Sequence, residues 1–327
     1  MATLRRRVRR QEETVTVKSE FHPDLKLARF MPTPGGGERL ARLVRRFKVP
    51  AARVPDDMVV ENVTVPGRNG GPPVRLRFYR PSALTGVTPA LLWMHGGGYF
   101  MGNVEQDDRR SMAIARSLGI TVAAVAYRLA PEHPAPAALD DAYACLAYLH
   151  ENSAARQIDS ERIAIGGTSA GGGLAASLAL LAHDLGEVKP VFQLLAYPVL
   201  DDRSASRTDR DDRNVRMYTS DSQKLTWRWY LGNEFGSQEV SEYAAPARRT
   251  DLGGLPPAWI GVCTFDVLYD EGVEYARRLN DSGVPCDLHV VEGGFHGFDV
   301  LFPRAGVTRT FRDAQVRALR AALFPPD

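Results

Sequence analysis

The sequence has little cysteine, no long apolar run and almost no net charge, and each shortage excludes a class of protein. Only three of its 327 residues are cysteine, with no C-x-x-C pair and no cysteine–histidine cluster at metal-ligand spacing. This usage argues against a disulfide framework and a metal site, and it fits a reducing, cytoplasmic setting. No window of eighteen apolar residues occurs, and no apolar segment follows the basic N-terminus. Neither a membrane span nor a signal peptide is therefore predicted.

The charge is balanced, with 41 Lys and Arg residues against 39 acidic residues and a net charge of +2. This balance predicts no strong attraction to nucleic acid or to an anionic membrane. We interpret the one basic cluster, residues 5–10, as a solvated segment. The glycine triplets at 96–98 and 171–173 lack the spacing of a dinucleotide fingerprint, and no P-loop occurs, so no nucleotide cofactor is predicted.

The apolar content, 44% of the chain, is ample for one large α/β domain or two small ones. Residues 1–55 carry helical patterning and no strand signal, and residues 59–65 and 74–79 alternate like the edge strands of a hairpin. Six continuous apolar runs then follow, each succeeded by helical sequence: 90–94, 121–127, 162–166, 191–197, 258–263 and 286–291. Such runs predict parallel strands buried on both faces, with helices covering both sides of the sheet.

Ser169 follows one of these runs in the pattern G-x-S-x-G, with glycine at 167 and 171. A sharp strand-to-helix turn strains the serine backbone and leaves no room for side chains beside it, which explains both glycines. Ala170 would then open a helix, and its N–H would point at the space in front of the serine. The pattern predicts that Ser169 is a nucleophile and that Ala170 helps to bind an oxyanion.

Chemically active residues also follow other strands, as expected at the carboxyl ends of a parallel sheet. The loop 95–102 contains three successive glycines whose uncovered amides can approach a ligand oxygen, and we expect His95 to orient this loop. Asp266 and His296 follow the last two apolar runs. A serine hydroxyl becomes a good nucleophile when a base takes its proton, and the base needs an acid that fixes its tautomer. The chain order Ser, Asp, His therefore predicts a triad.

The sequence offers alternatives to the acid and the base of this triad. Asp270 and Glu271 are rival acids, but they fall in the predicted helix after Asp266. The five histidines outside the glycine loops are predicted to lie on the surface or in the core: His22, His133, His150, His183 and His289.

With these motifs, the chain resembles the bacterial hormone-sensitive lipase family of carboxylesterases. The loop 95–100, the segment 127–141, the Gly-Thr-Ser-Ala-Gly elbow and the Asp266 and His296 loops carry the resemblance over roughly residues 60–320. It implies an α/β-hydrolase fold, with a mostly parallel eight-stranded sheet, helices on both faces and an N-terminal helical cap. It also implies that Gly97, Gly98 and Ala170 donate the oxyanion N–H groups. Many members have Asp where this chain has Thr168, so their substrate preferences do not transfer directly.

The resemblance further implies that residues 1–55 are the cap, that 56–327 are the catalytic domain, and that 201–235 add to the cap. The segment 127–141 is expected to be structural, its Asp140 or Asp141 capping or bracing a helix. The predicted function is hydrolysis of short- to medium-chain acyl esters, small molecules, without a cofactor. An amidase or deacetylase with the same triad, or a non-catalytic ligand-binding receptor, stays an alternative. A homodimer through the last strand is plausible by the same resemblance.

Overall fold

The computed structural model describes residues 20–33 and 37–325. The basic cluster at 5–10 lies outside this part, so its predicted solvation is untested. Within it, eight strands are β1 Met58–Val65, β2 Val74–Pro81, β3 Thr88–Met94, β4 Thr121–Ala126, β5 Ile158–Thr168, β6 Phe192–Ala196, β7 Ala258–Phe265 and β8 Cys286–Phe295. The α-helices are α1 Gly37–Val44, α2 Asp108–Leu118, α3 Ala137–Glu151, α4 Ser153–Arg156, α5 Ala170–Leu185, α6 Ser220–Leu231, α7 Tyr269–Asp281, α8 Phe298–Leu301 and α9 Gly306–Leu323.

The strands form one sheet in the order β1-β2-β4-β3-β5-β6-β7-β8. β2 pairs antiparallel with both β1 and β4, and every later pairing is parallel. The order reverses around β3, because the chain passes from β3 out to β4 and returns to β5 on the other side. This arrangement confirms the predicted α/β-hydrolase fold with a mostly parallel, eight-stranded sheet.

Helices cover both faces of the sheet, as the apolar runs predict. The face with α3, α5 and α7 is filled by residues such as Leu92, Ile165 and Leu174. The opposite face, with α2 and α9, is filled by residues such as Trp93 and Phe311. All five side chains are at most 1% exposed, so the central strands are buried on both sides.

Two strand predictions were wrong. β2 is not an edge strand, because β4 pairs with its other side. β8 is not buried on both faces, because it is the last strand of the sheet and every residue of its first half is partly buried or exposed. An apolar run of six residues does not distinguish an edge strand from a central one, since only the tertiary pairing decides which faces are covered.

Candidate active site

The strand-to-helix turn between β5 and α5 presents Ser169. Its φ of 55° and ψ of −120° lie in a region that side-chain-bearing residues rarely adopt. The turn is held by a hydrogen bond from the Ser169 N–H to the Ala196 carbonyl oxygen at 2.9 Å. A methyl group built on Gly171 would lie 2.1 Å from the Met94 carbonyl oxygen. The glycine is therefore required because the turn packs directly against the end of β3.

His296 lies between Ser169 and Asp266. Its Nε2 is 2.9 Å from Ser169 Oγ, and its Nδ1 is 2.7 Å from Asp266 Oδ2. The Leu268 N–H donates to the other Asp266 oxygen at 3.0 Å and orients the carboxylate. The three residues are only 6 to 7% exposed. The structure thus brings together three residues that are separated by up to 127 positions in sequence.

The rival acids lie elsewhere. Both are in α7, where Asp270 pairs with Arg207 and Glu271 accepts a hydrogen bond from the Leu200 N–H at 2.8 Å. Their side chains are therefore held by partners other than His296. Of the three candidate carboxylates, Asp266 is the one that contacts His296.

The glycine loop after β3 passes directly over the serine. A methyl group on Gly96 would lie 3.4 Å from Ser169 Cβ, and one on Gly97 would lie 2.2 Å from the Met101 carbonyl oxygen. Gly97 and Gly98 have φ values of 127° and 59°, which favour glycine. The backbone of this loop is therefore close to Ser169, and Ala170 is the first residue of α5.

His95 orients the loop, as its sequence context predicts. Its Nδ1 lies 2.7 Å from the Gly96 carbonyl oxygen, and its ring stacks on Tyr127 with centroids 4.4 Å apart. The Tyr127 hydroxyl donates to the His95 carbonyl oxygen at 2.7 Å. Burial lowers the pKa of His95, so the neutral ring is favoured in this apolar setting.

The segment 127–141 has a structural role. Asp141 accepts a hydrogen bond from the Arg128 N–H at 2.8 Å, and Asp140 pairs with Arg68 at 3.0 Å. The predicted alternative that either aspartate caps the helix was wrong, because α3 begins at Ala137 and both lie inside it. Asp141 braces the loop that precedes α3, and Asp140 ties α3 to the turn between β1 and β2.

Three residues that the sequence did not single out contact the triad or support it. The rings of Tyr197 and Tyr218 each lie 4.8 Å from the His296 imidazole, between centroids. The Tyr197 hydroxyl donates to Asp299 Oδ1 at 2.7 Å, and Asp299 pairs with Arg110. Tyr197 directly follows a strand, so the rule that found Ser169 could have found it. Neither Tyr218 nor Asp299 directly follows a predicted strand, so the same rule would not have found them.

Burial raises the pKa of Tyr197 and Tyr218 well above the ordinary tyrosine value, so both phenols stay protonated. It likewise raises the pKa of the Cys263 thiol, which makes this cysteine unreactive. Burial also raises the pKa of Glu271 to about 8. The shifts of Tyr197 and Tyr218 therefore keep neutral rings beside His296.

Within residues 20–33 and 37–325, no group of three His, Cys, Asp or Glu side chains is arranged to hold a metal ion. In the same ranges, no helix is both long and apolar enough to cross a membrane. The three cysteines are free thiols.

Residues 91–300 match the model of a family with the α/β-hydrolase fold. The carboxylic ester hydrolase LipN of Mycobacterium tuberculosis is 37% identical over 273 residues, covering 81% of this chain and 70% of LipN. The esterase LipI of the same organism is 36% identical over 87% of this chain and 86% of LipI. Among solved structures, a bacterial heroin esterase superposes with a TM-score of 0.83 at 37% identity, covering 93% of this chain and 98% of that one. The chain therefore belongs to the α/β-hydrolase family, among the carboxylic ester hydrolases of its hormone-sensitive lipase-like branch.

Proposed function

We propose that this carboxylesterase hydrolyses short- to medium-chain acyl esters through Ser169, His296 and Asp266, by way of an acyl-enzyme. The observation that carries the proposal is the continuous chain of contacts from Ser169 Oγ through both imidazole nitrogens to Asp266, at 2.9 and 2.7 Å. Each distance is within the reach of a proton transfer or an orienting hydrogen bond.

In the first step, Ser169 Oγ attacks the ester carbonyl carbon while His296 Nε2 takes the hydroxyl proton. Asp266 holds the imidazole in the tautomer that leaves Nε2 free to accept, and it stabilises the imidazolium that forms. His296 then gives the proton to the leaving alcohol. Water enters, loses a proton to the same nitrogen and attacks the acyl carbon. Ser169 Oγ then leaves the acyl carbon and takes this proton from His296, which releases the acid and restores both residues.

The negative oxygen that forms in both steps is assigned to the N–H groups of Gly97, Gly98 and Ala170. Two features support this assignment. The glycine loop lies against Ser169, and the Phe100 and Met101 N–H groups close it by donating to the Gly97 carbonyl oxygen at 3.1 and 3.0 Å. Ala170 is the first residue of α5, where the helix dipole favours negative charge.

We further assign residues 1–55, of which 20–33 and 37–55 are described, and residues 201–235 to a cap over the acyl pocket, and 56–327, described to 325, to the catalytic domain. The support comes from the described residues of both segments. Arg42 and Arg45 lie over the Trp229 ring at 5.5 and 5.7 Å, and Glu38 pairs with Arg228. Since these contacts join α1 to α6, the two segments form one cover. A homodimer through β8 stays a prediction.

The test is hydrolysis of p-nitrophenyl butyrate by the native chain and by Ser169→Ala, which should lose nearly all turnover. The matched control is Ser177→Ala in α5, the helix that follows Ser169, because Ser177 is fully buried and its Oγ has no hydrogen-bond partner within the described residues. This variant should keep native activity. An organophosphate should label Ser169 stoichiometrically, and an unlabelled serine would contradict the proposed nucleophile.

Whether the chain cleaves esters or amides needs a separate test. We expect a p-nitrophenyl ester to be cleaved much faster than the matched acyl-anilide, because the amine is a poorer leaving group. Equal or faster anilide cleavage would assign the triad to an amidase. A series of p-nitrophenyl esters from acetate to palmitate should show its highest kcat/KM at a short or medium chain.

A further inference from the structure

Two buried hydroxyl groups lie beside the triad, on the segment that covers it. Tyr218 precedes α6, and its ring is tilted by 33° over the His296 imidazole at 4.8 Å. Thr226 lies in α6, and a methyl group built on Gly98 would be 2.8 Å from Thr226 Oγ1. The pair therefore spans the space between the proposed base and the proposed oxyanion loop.

Neither hydroxyl has a hydrogen-bond partner among residues 20–33 and 37–325. The two groups are neighbours, and Thr226 partly offsets the rise that burial causes in the pKa of Tyr218, yet they are not aligned for a hydrogen bond with each other. Tyr218 is 8% exposed and Thr226 is fully buried. A buried hydroxyl without a partner has given up its hydrogen bonds to water, so a substrate oxygen placed within its reach would restore one.

The covering segment also carries aromatic side chains. On the same segment, Trp229 packs edge-on against Phe100 of the glycine loop, with centroids 4.9 Å apart. Such a wall accepts alkyl and aromatic groups of many shapes. A polar pair within it discriminates more sharply, because an analogue that lacks the matching atom leaves buried polar groups unpaired.

We propose that Tyr218 and Thr226 form a polar subsite that hydrogen-bonds an oxygen atom in the alcohol part of the substrate. The preferred substrates are then esters of alcohols that carry a second oxygen, as an ether, hydroxyl or carbonyl, close to the scissile bond. This inference rests on the proposed function. The alcohol part of the substrate is assigned to this subsite because Tyr218 covers His296, the residue that must protonate the leaving alcohol.

The experiment compares butyl acetate with 2-methoxyethyl acetate, which has the same shape but an oxygen in place of one methylene. Acetate release is followed for the native chain, Tyr218→Phe and Thr226→Val. The measured quantity is the ratio of kcat/KM for the ether-containing ester to that for butyl acetate. We expect each variant to lower this ratio roughly two- to tenfold, the usual effect of one neutral hydrogen bond.

Tyr275→Phe is the matched control, because its hydroxyl is also buried without a partner in the described ranges but lies in α7, outside the site. It should leave the ratio unchanged. A second ester pair, p-nitrophenyl butyrate and p-nitrophenyl methoxyacetate, places the same oxygen on the acyl side.

Three results would overturn the subsite: an unchanged ratio in both variants, an equal change in Tyr275→Phe, or an effect confined to the acyl-side pair. The proposed function is judged separately, by whether Ser169→Ala abolishes the hydrolysis of butyl acetate. If the native chain hydrolyses both acetates through Ser169 and the ratios do not move, the subsite fails while the triad stands.

Discussion

Replacing Asp299 with Asn should destabilise the protein by about 3–5 kcal/mol. Asp299 is fully buried, three residues after His296, and it pairs with Arg110, whose side chain is only 11% exposed. Its other carboxylate oxygen accepts the Tyr197 hydroxyl at 2.7 Å, and its carbonyl oxygen accepts from Arg312 at 2.7 Å. The substitution keeps the volume and removes the charge. Arg110 is then a buried cation without its counter-ion, which is the costly half of a broken buried pair.

The assay is urea unfolding followed by tryptophan fluorescence and circular dichroism, with the free energy of unfolding extrapolated to water. Asp281→Asn is the control, because it breaks the pair with Arg277 on the surface, where both side chains are about 60% exposed. That variant should unfold like the native chain. A loss below about 1 kcal/mol in Asp299→Asn would refute the reasoning, since it would mean that Arg110 reaches water or another acceptor at little cost.

Three further predictions address the site and its surroundings. Gly97→Ala should lower kcat for p-nitrophenyl butyrate by about 10²- to 10³-fold, because the new methyl group would lie 2.2 Å from the Met101 carbonyl oxygen and displace the oxyanion loop. Asp266→Asn should lower kcat by roughly 10³- to 10⁴-fold through loss of the correct His296 tautomer, whereas Asp270→Asn should change it little. Glu271→Gln should gain stability relative to the native chain as pH rises from about 4.5 to 8, measured by urea unfolding at each pH.

The sign of the Glu271 effect follows from its raised pKa. The folded chain keeps this proton up to about pH 8, whereas the unfolded chain loses it near the ordinary value of 4.5. Between these values unfolding releases a proton, so native stability falls with pH by at most about 1.4 kcal/mol per unit. The Gln variant has no carboxyl group at this position, so its stability does not fall with pH for this reason. A stability difference that does not change with pH would show that Glu271 is ionised throughout.

The Gly97→Ala and Asp266→Asn variants each have a matched control. Gly86→Ala tests backbone strain without a clash, because Gly86 also has a positive φ, of 76°, and nothing lies within 4 Å of a methyl group there. It should leave kcat unaltered. Equal losses in Asp266→Asn and Asp270→Asn would contradict the assignment of the acid.

Much of the fold was predictable because local sequence reports burial. The apolar runs identified the six later strands, and the glycines beside Ser169 indicated a turn that only residues without side chains can flank. The same apolar pattern wrongly predicted that β8 is buried on both faces. A run of apolar residues indicates a strand that favours burial, but it does not show how many neighbouring strands pair with it. Local sequence also did not define the first residue of α3, and Asp140 and Asp141 were therefore predicted as possible helix caps.

The sequence by itself determined the strand-turn-helix that presents Ser169, the order of strands and helices, and the candidate residues at the strand ends. These features depend on backbone sterics and on hydrophobic periodicity, which act over a few residues. Only the tertiary structure decided which carboxylate meets His296, and that Tyr197, Tyr218 and the Asp299–Arg110 pair surround it. Such contacts join residues that are distant in the chain, and no local pattern encodes the angle at which a helix or loop returns to the sheet.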